Sequence, residues 1–338
     1  MCFMINDDIR KKTEENEKLI LAPQAQLVIN TGGRLRPEEP CPIRTDYQRD
    51  RDRIIHSKAF RRLKHKAQVF ISPENDHFRT RLTHSLEVFQ VSTTIARALR
   101  LNEDLVGAIA LGHDLGHTPF GHAGESAIND YLKKYGMSFS HAKHSLKIVD
   151  VLEKDGAGLN LTAEVRDGIV KHSKGKGDLH NNEDIPLTLE GQIVRVADRV
   201  AYLNHDIDDA ISAGIITLED IPSDITHRLG NTTSERINSM VYNIIESSSD
   251  LDSIKLSEDM IEVLNALKDF MFERVYFSKK KLFLEKLYKE KIGNLFDYYL
   301  IEDNSERPLK DKLIDIADHI SSMTDNYAQN EMRRIGIL

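Results

Sequence analysis

Hydrophobic residues recur along this chain at steps of three and four positions, the spacing that places them on one face of an α-helix. The clearest segment predicts a helix from about Asp76 to Arg100, with its buried face formed by Leu82, Ser85, Leu86, Phe89, Thr93, Ala96 and Leu99. The same spacing returns between Met260 and Met271 and between Leu313 and Met323. Strict alternation of apolar and polar residues, which indicates strands, is scarce. The pattern therefore predicts an all-α fold.

Residues that favour helix N-termini precede several of these segments. Asn102 is the expected N-cap of a helix from Glu103 to about Asp114, and a short helix is expected to begin at Gly121 and His122. The remaining expected caps are Ser140 for a helix through Val151, Thr162 for one to His172, and Thr188 for one from Leu189 towards Ala213. Ser173 to Asp184 is expected to be a loop, and Asp7 to Lys18 a helical or mobile segment.

The domain prediction divides the chain into three parts. Residues 1–43 are an N-terminal segment, residues 44–215 form a core, and residues 216–338 form a helical region packed on that core.

Composition and charge narrow the class of protein. The 338 residues are 40% hydrophobic and 30% charged, as in ordinary globular proteins. No segment reaches the roughly 18 to 20 apolar residues of a membrane span and no export signal is evident, so a cytoplasmic location is expected. Two cysteines, Cys2 and Cys41, are too few for a disulfide framework and are interpreted as free thiols. A net charge of −8 disfavours a nucleic-acid-binding surface.

Four residues suggest a metal site. His84, the adjacent pair His113–Asp114, and Asp198 offer two imidazoles and two carboxylates. This donor set suits Mn, Fe, Co, Ni or Zn ions better than Mg, which prefers oxygen ligands. The alternative interpretation is a capped helix with solvated histidines and a surface ion pair at Asp198. The cations between Arg44 and Arg81 are likewise either a solvated face or, in part, phosphate ligands.

The order and spacing of these residues match the H…HD…D pattern of HD-domain phosphohydrolases. Longer segments narrow the resemblance to the deoxyguanosinetriphosphate triphosphohydrolase-like (dGTPase-like) group, and it runs from about Arg44 to the end of the chain. The segments that carry it are Arg53–Leu63, Arg79–Val88, Gly112–Glu125, Arg195–Tyr202 and Ser322–Asp325.

The resemblance implies an HD-domain helical core with additional C-terminal helices. It also implies metal-dependent hydrolysis of deoxynucleoside triphosphates (dNTPs), by water attack at the α-phosphorus, to deoxynucleoside and inorganic triphosphate. The implied metal ligands are His84, His113, Asp114 and Asp198, and the implied substrate-binding residues are Gln68, Arg81, Arg199, Tyr202 and Asp206. Asp198, Tyr202 and Asp206 share one helix face, and Tyr202 and Asp206 are expected to exclude ribose.

Histidine is the side chain best suited to protonate a leaving oxygen near neutral pH. His122 is the expected general acid, His117 and His141 are expected to orient water or contact phosphates, and Asp114 is an alternative base. Many relatives carry an acidic residue shortly after the position of His141, whereas this chain reads His141-Ala142-Lys143-His144. Reduced activity or different positioning of water is expected from that departure.

Two other functions compete with this one. Another HD phosphohydrolase, a nucleotidase or phosphodiesterase, would keep the metal ligands but lack Gln68, Arg81, Tyr202 and Asp206. A non-catalytic binder of nucleotides or single-stranded DNA would need a basic, aromatic surface, and this chain has no Trp. The expected partners are a dNTP, with Mg²⁺ as an optional companion of its triphosphate, a second copy of the chain and, as a further option, an activating nucleotide. No membrane partner is expected.

Overall fold

The architecture is helical throughout the part of the chain that the computed structural model describes, namely residues 8–69, 78–173, 184–277 and 279–338. Within these ranges the only β-type pairings are two isolated bridges, Arg34 with Thr162 and Ala67 with Thr80. The prediction of an all-α fold is confirmed. No helix in these ranges has the length and apolar character needed to cross a membrane.

The helices are numbered in chain order. The α-helices are α1 (Asp8–Ile20), α2 (Asp46–Ile55), α3 (Lys58–Arg62), α4 (Arg81–Leu99), α5 (Glu103–Gly112), α6 (His122–Lys133), α7 (His141–Lys147), α8 (Ala163–Lys171), α9 (Leu189–Ser212), α10 (Ser223–Leu229), α11 (Thr233–Ser247), α12 (Glu258–Met271), α13 (Lys279–Glu302), α14 (Leu309–Ser322) and α15 (Asp325–Arg334). Short 3₁₀ turns lie at Val28–Asn30, Leu63–His65 and Leu218–Asp220, and π-helical turns at Ile148–Leu152 and Phe272–Tyr276.

Most of the predicted caps are present. The Asn102 side chain accepts hydrogen bonds from the amides of Asp104 (3.2 Å) and Leu105 (3.3 Å), and Ser140 and Thr188 cap α7 and α9. Thr162 occupies the predicted N-cap position of α8, but its hydroxyl makes no cap bond and instead donates to Asp50 at 2.7 Å. Asp50 is fully buried, so its carboxylate requires donors from the protein.

Helix α4 begins later than the periodicity indicated. Thr80 caps it, accepting from the amide of Thr83, and the first helical residue is Arg81. Asp76, the predicted start, lies outside the described residues, as does most of the predicted loop from Ser173 to Asp184.

Helix α5 is the centre of the larger hydrophobic core. All of its residues from Leu105 to Gly112 are buried, and α2, α4, α8 and α9 pack around it. A helix that is apolar on all sides requires such an environment. Helix α8 approaches α5 at Gly168, where an added Cβ would lie 2.5 Å from Cδ1 of Ile109. This packing places the C-terminal end of α5 deep inside the molecule.

A second hydrophobic core joins α6 to the C-terminal helices α13, α14 and α15. Its buried members include Phe120, Ile128, Phe296, Ile320 and Met332. The larger core extends from Ala25 to Val275 and so draws residues from all three predicted parts of the chain. The division at residues 43 and 215 stays a prediction.

Candidate metal centre and active site

His113 is delivered to the interior by the end of α5, where it is the C-cap residue. Its Nδ1 lies 2.6 Å from the carbonyl oxygen of Ala110. A carbonyl can only accept, so Nδ1 carries the hydrogen and Nε2 presents a lone pair. That Nε2 is buried and has no hydrogen-bond partner within the described residues. The imidazole is therefore oriented and protonated as a metal ligand requires.

The four predicted metal ligands converge. His84 Nε2 lies 3.0 Å from Asp198 Oδ1, and His113 Nε2 lies 3.3 Å from Asp114 Oδ1. Two longer separations, His84 Nε2 to Asp114 Oδ2 and His113 Nε2 to Asp198 Oδ1, are both 3.9 Å.

Ligand atoms about 2.1 Å from one ion are separated from each other by roughly 3.0 to 4.2 Å in tetrahedral or octahedral geometry. All four measured separations fall in that range. One ligand atom each of His84, His113 and Asp198 lie within 4.8 Å of one another, and Asp114 lies beside them, so this donor set fits a divalent cation.

The carboxylate of Asp114 is in contact with several basic side chains of the site. Burial by itself raises the pKa of this carboxyl, but the nearby imidazoles of His113 and His117 lower it well below its ordinary range. The Arg81 guanidinium adds to the lowering, with Nη1 3.0 Å from Asp114 Oδ2. In the resting site this carboxylate is therefore ionised near neutral pH, as a metal ligand or a proton acceptor must be.

Next to Asp114 lies a pair of stacked histidines. The ring centroids of His117 and His141 are 3.9 Å apart with 16° between the ring planes. His117 Nε2 contacts Asp114 Oδ1 at 3.1 Å. Burial, followed by the charge of Arg81, lowers the pKa of His117 well below its ordinary value, so this imidazole is neutral. Its Nδ1 is buried without a hydrogen-bond partner among the described residues.

Glu125 is the carboxylate partner of His141. His141 Nδ1 lies 2.9 Å and 3.1 Å from the two oxygens of Glu125, and the His141 amide also donates to Glu125 at 2.9 Å. Burial is the largest single influence and lowers the pKa of His141, but the hydrogen bond to Glu125 and the charges of Glu125 and Asp114 together raise it above its ordinary value. The acidic partner absent from the residues after His141 is thus supplied by α6.

His122 differs from the other predicted catalytic histidines because its side chain is 79% exposed. It lies at the start of α6, and its Nδ1 is 3.9 Å from Glu125 Oε2. Glu125 therefore lies between the exposed His122 and the half-buried His141.

His172 joins the cluster from the end of α8. It is buried, its Nδ1 donates to the carbonyl of Ile169 at 2.7 Å, and its ring lies 4.9 Å from that of His113. One ligand atom each of His113, Asp114 and His172 lie within 4.8 Å of one another. Burial lowers the pKa of His172 to about 3, so the imidazole is neutral.

Most cations between Arg44 and Arg81 are engaged away from this site. Arg51 pairs with Asp104 and Arg53 with Glu38, while Arg79 contacts three acidic side chains, Glu87, Asp208 and Asp209. Of the cations predicted in this run, Arg81 is the one whose guanidinium contacts the metal ligands. The two arginines of α9 also have protein partners: Arg195 donates to the carbonyls of Lys171 and Asp184, and Arg199 Nη2 to Asn265 at 3.0 Å.

The remaining predicted substrate-binding residues lie on two sides of the cluster. The Gln68 carbonyl accepts from Arg81 Nη2 at 3.5 Å, and the Gln68 side-chain oxygen is buried without a partner in the described chain. Asp206, two turns beyond Asp198 on α9, is buried and accepts a hydrogen bond from the Tyr276 hydroxyl. Tyr202 lies between Asp198 and Asp206 on α9, and burial raises the pKa of its hydroxyl to about 12.

Three residues of this region were missed from the sequence. Glu125 had a local signal, because His122 and Glu125 are three positions apart and share a helix face. His172 had a weaker signal, because it directly follows a predicted helix and is three residues from the apolar Ile169 on the same face. Tyr276, which has the ammonium of Lys281 4.2 Å from its ring centroid, had none, because its π-helical turn is distant in sequence from α9.

Comparisons with known proteins agree with this architecture. Residues 81–203 match the HD domain family, and residues 254–334 match the phosphohydrolase-associated domain. A deoxyguanosinetriphosphate triphosphohydrolase-like protein of Caldanaerobacter subterraneus subsp. tengcongensis is 50% identical, with 97% of this chain and 95% of that protein aligned. Proteins described in the same words from Desulfatibacillum aliphaticivorans and Clostridium tetani are 45% and 43% identical, covering 97% and 94% of this chain and 97% and 93% of theirs.

The first family match contains all four predicted metal ligands, and the second contains the C-terminal helices α13, α14 and α15 of the second core. Identity of this level over nearly the full length of both chains establishes common descent. The chain therefore belongs to the HD-domain phosphohydrolase family and, within it, to the deoxyguanosinetriphosphate triphosphohydrolase-like proteins.

Proposed function

We propose that this protein hydrolyses dNTPs to deoxynucleoside and inorganic triphosphate in a reaction that depends on a divalent metal ion. The observation that carries the proposal is the convergence of a four-residue metal cluster, a buried guanidinium and a histidine–carboxylate group at the end of α5. The names of relatives that are up to 50% identical support triphosphohydrolysis within the wider class of HD phosphohydrolases.

His84, His113, Asp114 and Asp198 would hold the ion. A divalent cation there, Mn, Fe, Co, Ni or Zn by its donor set, would neutralise phosphate oxygens and make water more acidic. Mg²⁺ is the natural companion of the triphosphate itself.

Arg81 and Arg199 are the proposed phosphate ligands. The Arg81 guanidinium is buried against Asp114, so an α-phosphate at the cluster would meet a fixed positive charge. Arg199 has a buried Nε without a partner in the described residues, a donor that is free for a phosphate oxygen.

The histidines have distinct proposed roles. The neutral His117 has an unpartnered Nδ1, a lone pair suited to orienting the attacking water. The exposed His122 is the proposed acid: water bonds to the α-phosphorus, the bond to the 5′-oxygen breaks, and that oxygen takes the proton of His122. The proton of the water passes to Asp114, the proposed base. Glu125 would orient both His122 and His141.

The sugar and base would lie beside Gln68, Tyr202 and Asp206. The unsatisfied side-chain oxygens of Gln68 and Asp206 are acceptors for substrate hydroxyl or amino groups. Crowding by Tyr202 and Asp206 below the sugar would exclude ribose. Assembly into a homo-oligomer and activation by a second nucleotide belong to the same proposal.

The test is to incubate the purified protein with each dNTP, singly and in mixtures, with Mn²⁺ or Mg²⁺, and to identify the products by anion-exchange chromatography. Release of deoxynucleoside with intact triphosphate is expected, and loss of turnover in His113→Ala. The exposed His227→Ala on α10 is the matched control that should retain turnover.

Other products would overturn the proposal. Monophosphate with pyrophosphate would indicate a different phosphohydrolase, and the absence of turnover in every mixture would indicate a binding protein.

Turnover that occurs only in mixtures would support the proposed activation and would identify the activating nucleotide.

A further inference from the structure

Asp325, the first residue of α15, links two segments that are far from it in sequence. Its side chain is buried, and its two oxygens accept from two different backbone amides, Oδ1 from Phe120 and Oδ2 from Ala67, each at 2.9 Å. These partners are 205 and 258 residues away along the chain. Because both oxygens are engaged by main-chain donors, the carboxylate acts as a crosslink between segments.

Both amides belong to segments that carry proposed active-site residues. Ala67 directly precedes Gln68, and Phe120 lies in the loop from His113 to Gly121, between His117 and His122. A Cβ added at Gly121 would lie 3.4 Å from the Gln68 carbonyl oxygen, so the loop and the Gln68 turn are also in close contact with each other.

The loop has a conformation that requires support at this point. Phe120 has φ of 60° and Gly121 has φ of 56°. A bulky residue rarely adopts positive φ unless its surroundings compensate for the strain. The bond from the Phe120 amide to Asp325 is such a compensation, and it fixes the direction in which the chain enters α6 at His122.

Lys66 makes a second link, from the turn at 66–68 to the histidine loop at 113–121 and to the end of α14. Its buried ammonium donates to the carbonyl oxygens of His117 and, at 2.7 Å, Ser321. The buried side chain of Asp325 therefore joins the start of α15 to the turn at 66–68 and the loop at 113–121, and the buried side chain of Lys66 joins the same turn to that loop and to the end of α14.

We propose that Asp325 is a positioning residue for hydrolysis, through which the C-terminal helices hold the histidine loop and the Gln68 turn in their working arrangement. The statement that Asp325 supports hydrolysis rests on the proposed function. It assigns a role to the Ser322–Asp325 segment, and it needs no contact between Asp325 and substrate.

Asp325→Asn in the full-length protein tests this directly. The amide has the size of the carboxylate, but its nitrogen cannot accept from an N–H group, so one of the two backbone donors loses its partner. Asp297→Asn is the matched control, because Asp297 on α13 accepts from Tyr131 on α6 at 2.5 Å and so joins another C-terminal helix to α6 away from the two linked segments.

Two readouts are needed. Hydrogen–deuterium exchange should be about tenfold faster in peptides spanning Ala67 and Phe120 in Asp325→Asn, and unchanged there in Asp297→Asn. With dNTP, kcat should fall about 10- to 100-fold with a smaller change in KM, since displaced histidines impair the reaction more than binding. Metal content should be unchanged, because no metal ligand is altered.

The inference is overturned if exchange in these peptides is unaffected, or if kcat falls no more than in Asp297→Asn. Should Asp325→Asn fail to fold, Lys66→Met, which removes the second link, is expected to give the same exchange and kcat changes. The exchange comparison needs no substrate. A wild-type protein without triphosphate release would therefore refute the proposed function, while the exchange result would still decide whether Asp325 orders the two segments.

Discussion

At the scale of single residues, the buried carboxyl of Asp206, a proposed substrate-binding group, lowers the stability of the fold. Burial raises the pKa of this carboxyl from 3.8 to about 6, although the hydrogen bond from Tyr276 acts in the opposite direction. Its Oδ1 has no partner within the described chain. A buried carboxylate kept under these conditions is costly, which is typical of groups retained for binding.

The sign of its pH dependence follows from the raised pKa. Between pH values near 4 and 6 the folded state binds more protons at Asp206 than the unfolded state, so stability falls as pH rises through this window and the full cost persists above it. Asp206→Asn removes the charge, and its stabilising effect should be about 2 kcal/mol larger at pH 8 than at pH 4.5.

Urea denaturation of both proteins at the two pH values measures this difference. Asp224→Asn, at an exposed position of α10, is the control for a changed net charge. An effect of Asp206→Asn that is the same at both pH values would contradict the raised pKa.

At the scale of helices, the position of the ligands depends on how closely α8 can approach α5. Gly168 has three atoms of Ile109 within 2.5 to 2.8 Å of the place where a Cβ would lie. Ile109 is fully buried and β-branched, so its side chain has little freedom to move. This contact brings His172, at the end of α8, beside His113, at the end of α5.

A pair of glycine substitutions tests this packing. Gly168→Ala should destabilise the protein by about 1 to 3 kcal/mol, the usual cost of overpacking a core. Gly293→Ala on α13, where a Cβ meets nothing within 4 Å, should instead stabilise it by up to about 1 kcal/mol through helix propensity. Chemical denaturation gives both values, and equal effects would show that α8 and α5 are not in close contact.

At the scale of the whole molecule, the candidate metal cluster joins helices of the larger core that are distant in sequence. Its ligands come from α4, from the end of α5 and from α9, which pack against one another. An ion that binds only when these helices are assembled must stabilise the entire fold.

Addition of Mn²⁺ to chelator-treated protein should therefore raise the unfolding free energy, by about 2.7 kcal/mol at one hundred times the dissociation constant. His113→Asn should abolish most of this increase, whereas His227→Asn should preserve it. Thermal or urea unfolding with and without Mn²⁺ measures the effect. An equal increase in both variants would place the ion elsewhere.

The helical fold and the candidate metal ligands could be predicted from the sequence, because helical periodicity and family motifs are both properties of short segments. Three- and four-residue periodicity predicts helices wherever one face must be buried, and it indicated α4, α12 and α14. Residues typical of helix starts indicated α5 to α9, with Asn102, Ser140 and Thr188 making the predicted cap bonds, whereas α2, α3, α10, α11, α13 and α15 were not predicted. The short segments around His84, His113 and Asp198 were sufficient to recognise the family and to nominate the four residues that converge in the structure.

Tertiary structure alone decided which chemically similar side chains meet. Thr162 could cap a helix but donates to the buried Asp50, and most cations near Arg44 to Arg81 pair with carboxylates remote in sequence. Glu125 reaches His141, and Asp325 reaches Phe120, across loops and whole helices. Periodicity records which face of a helix is buried but not what lies opposite it, because burial is a property of one segment whereas a contact requires two.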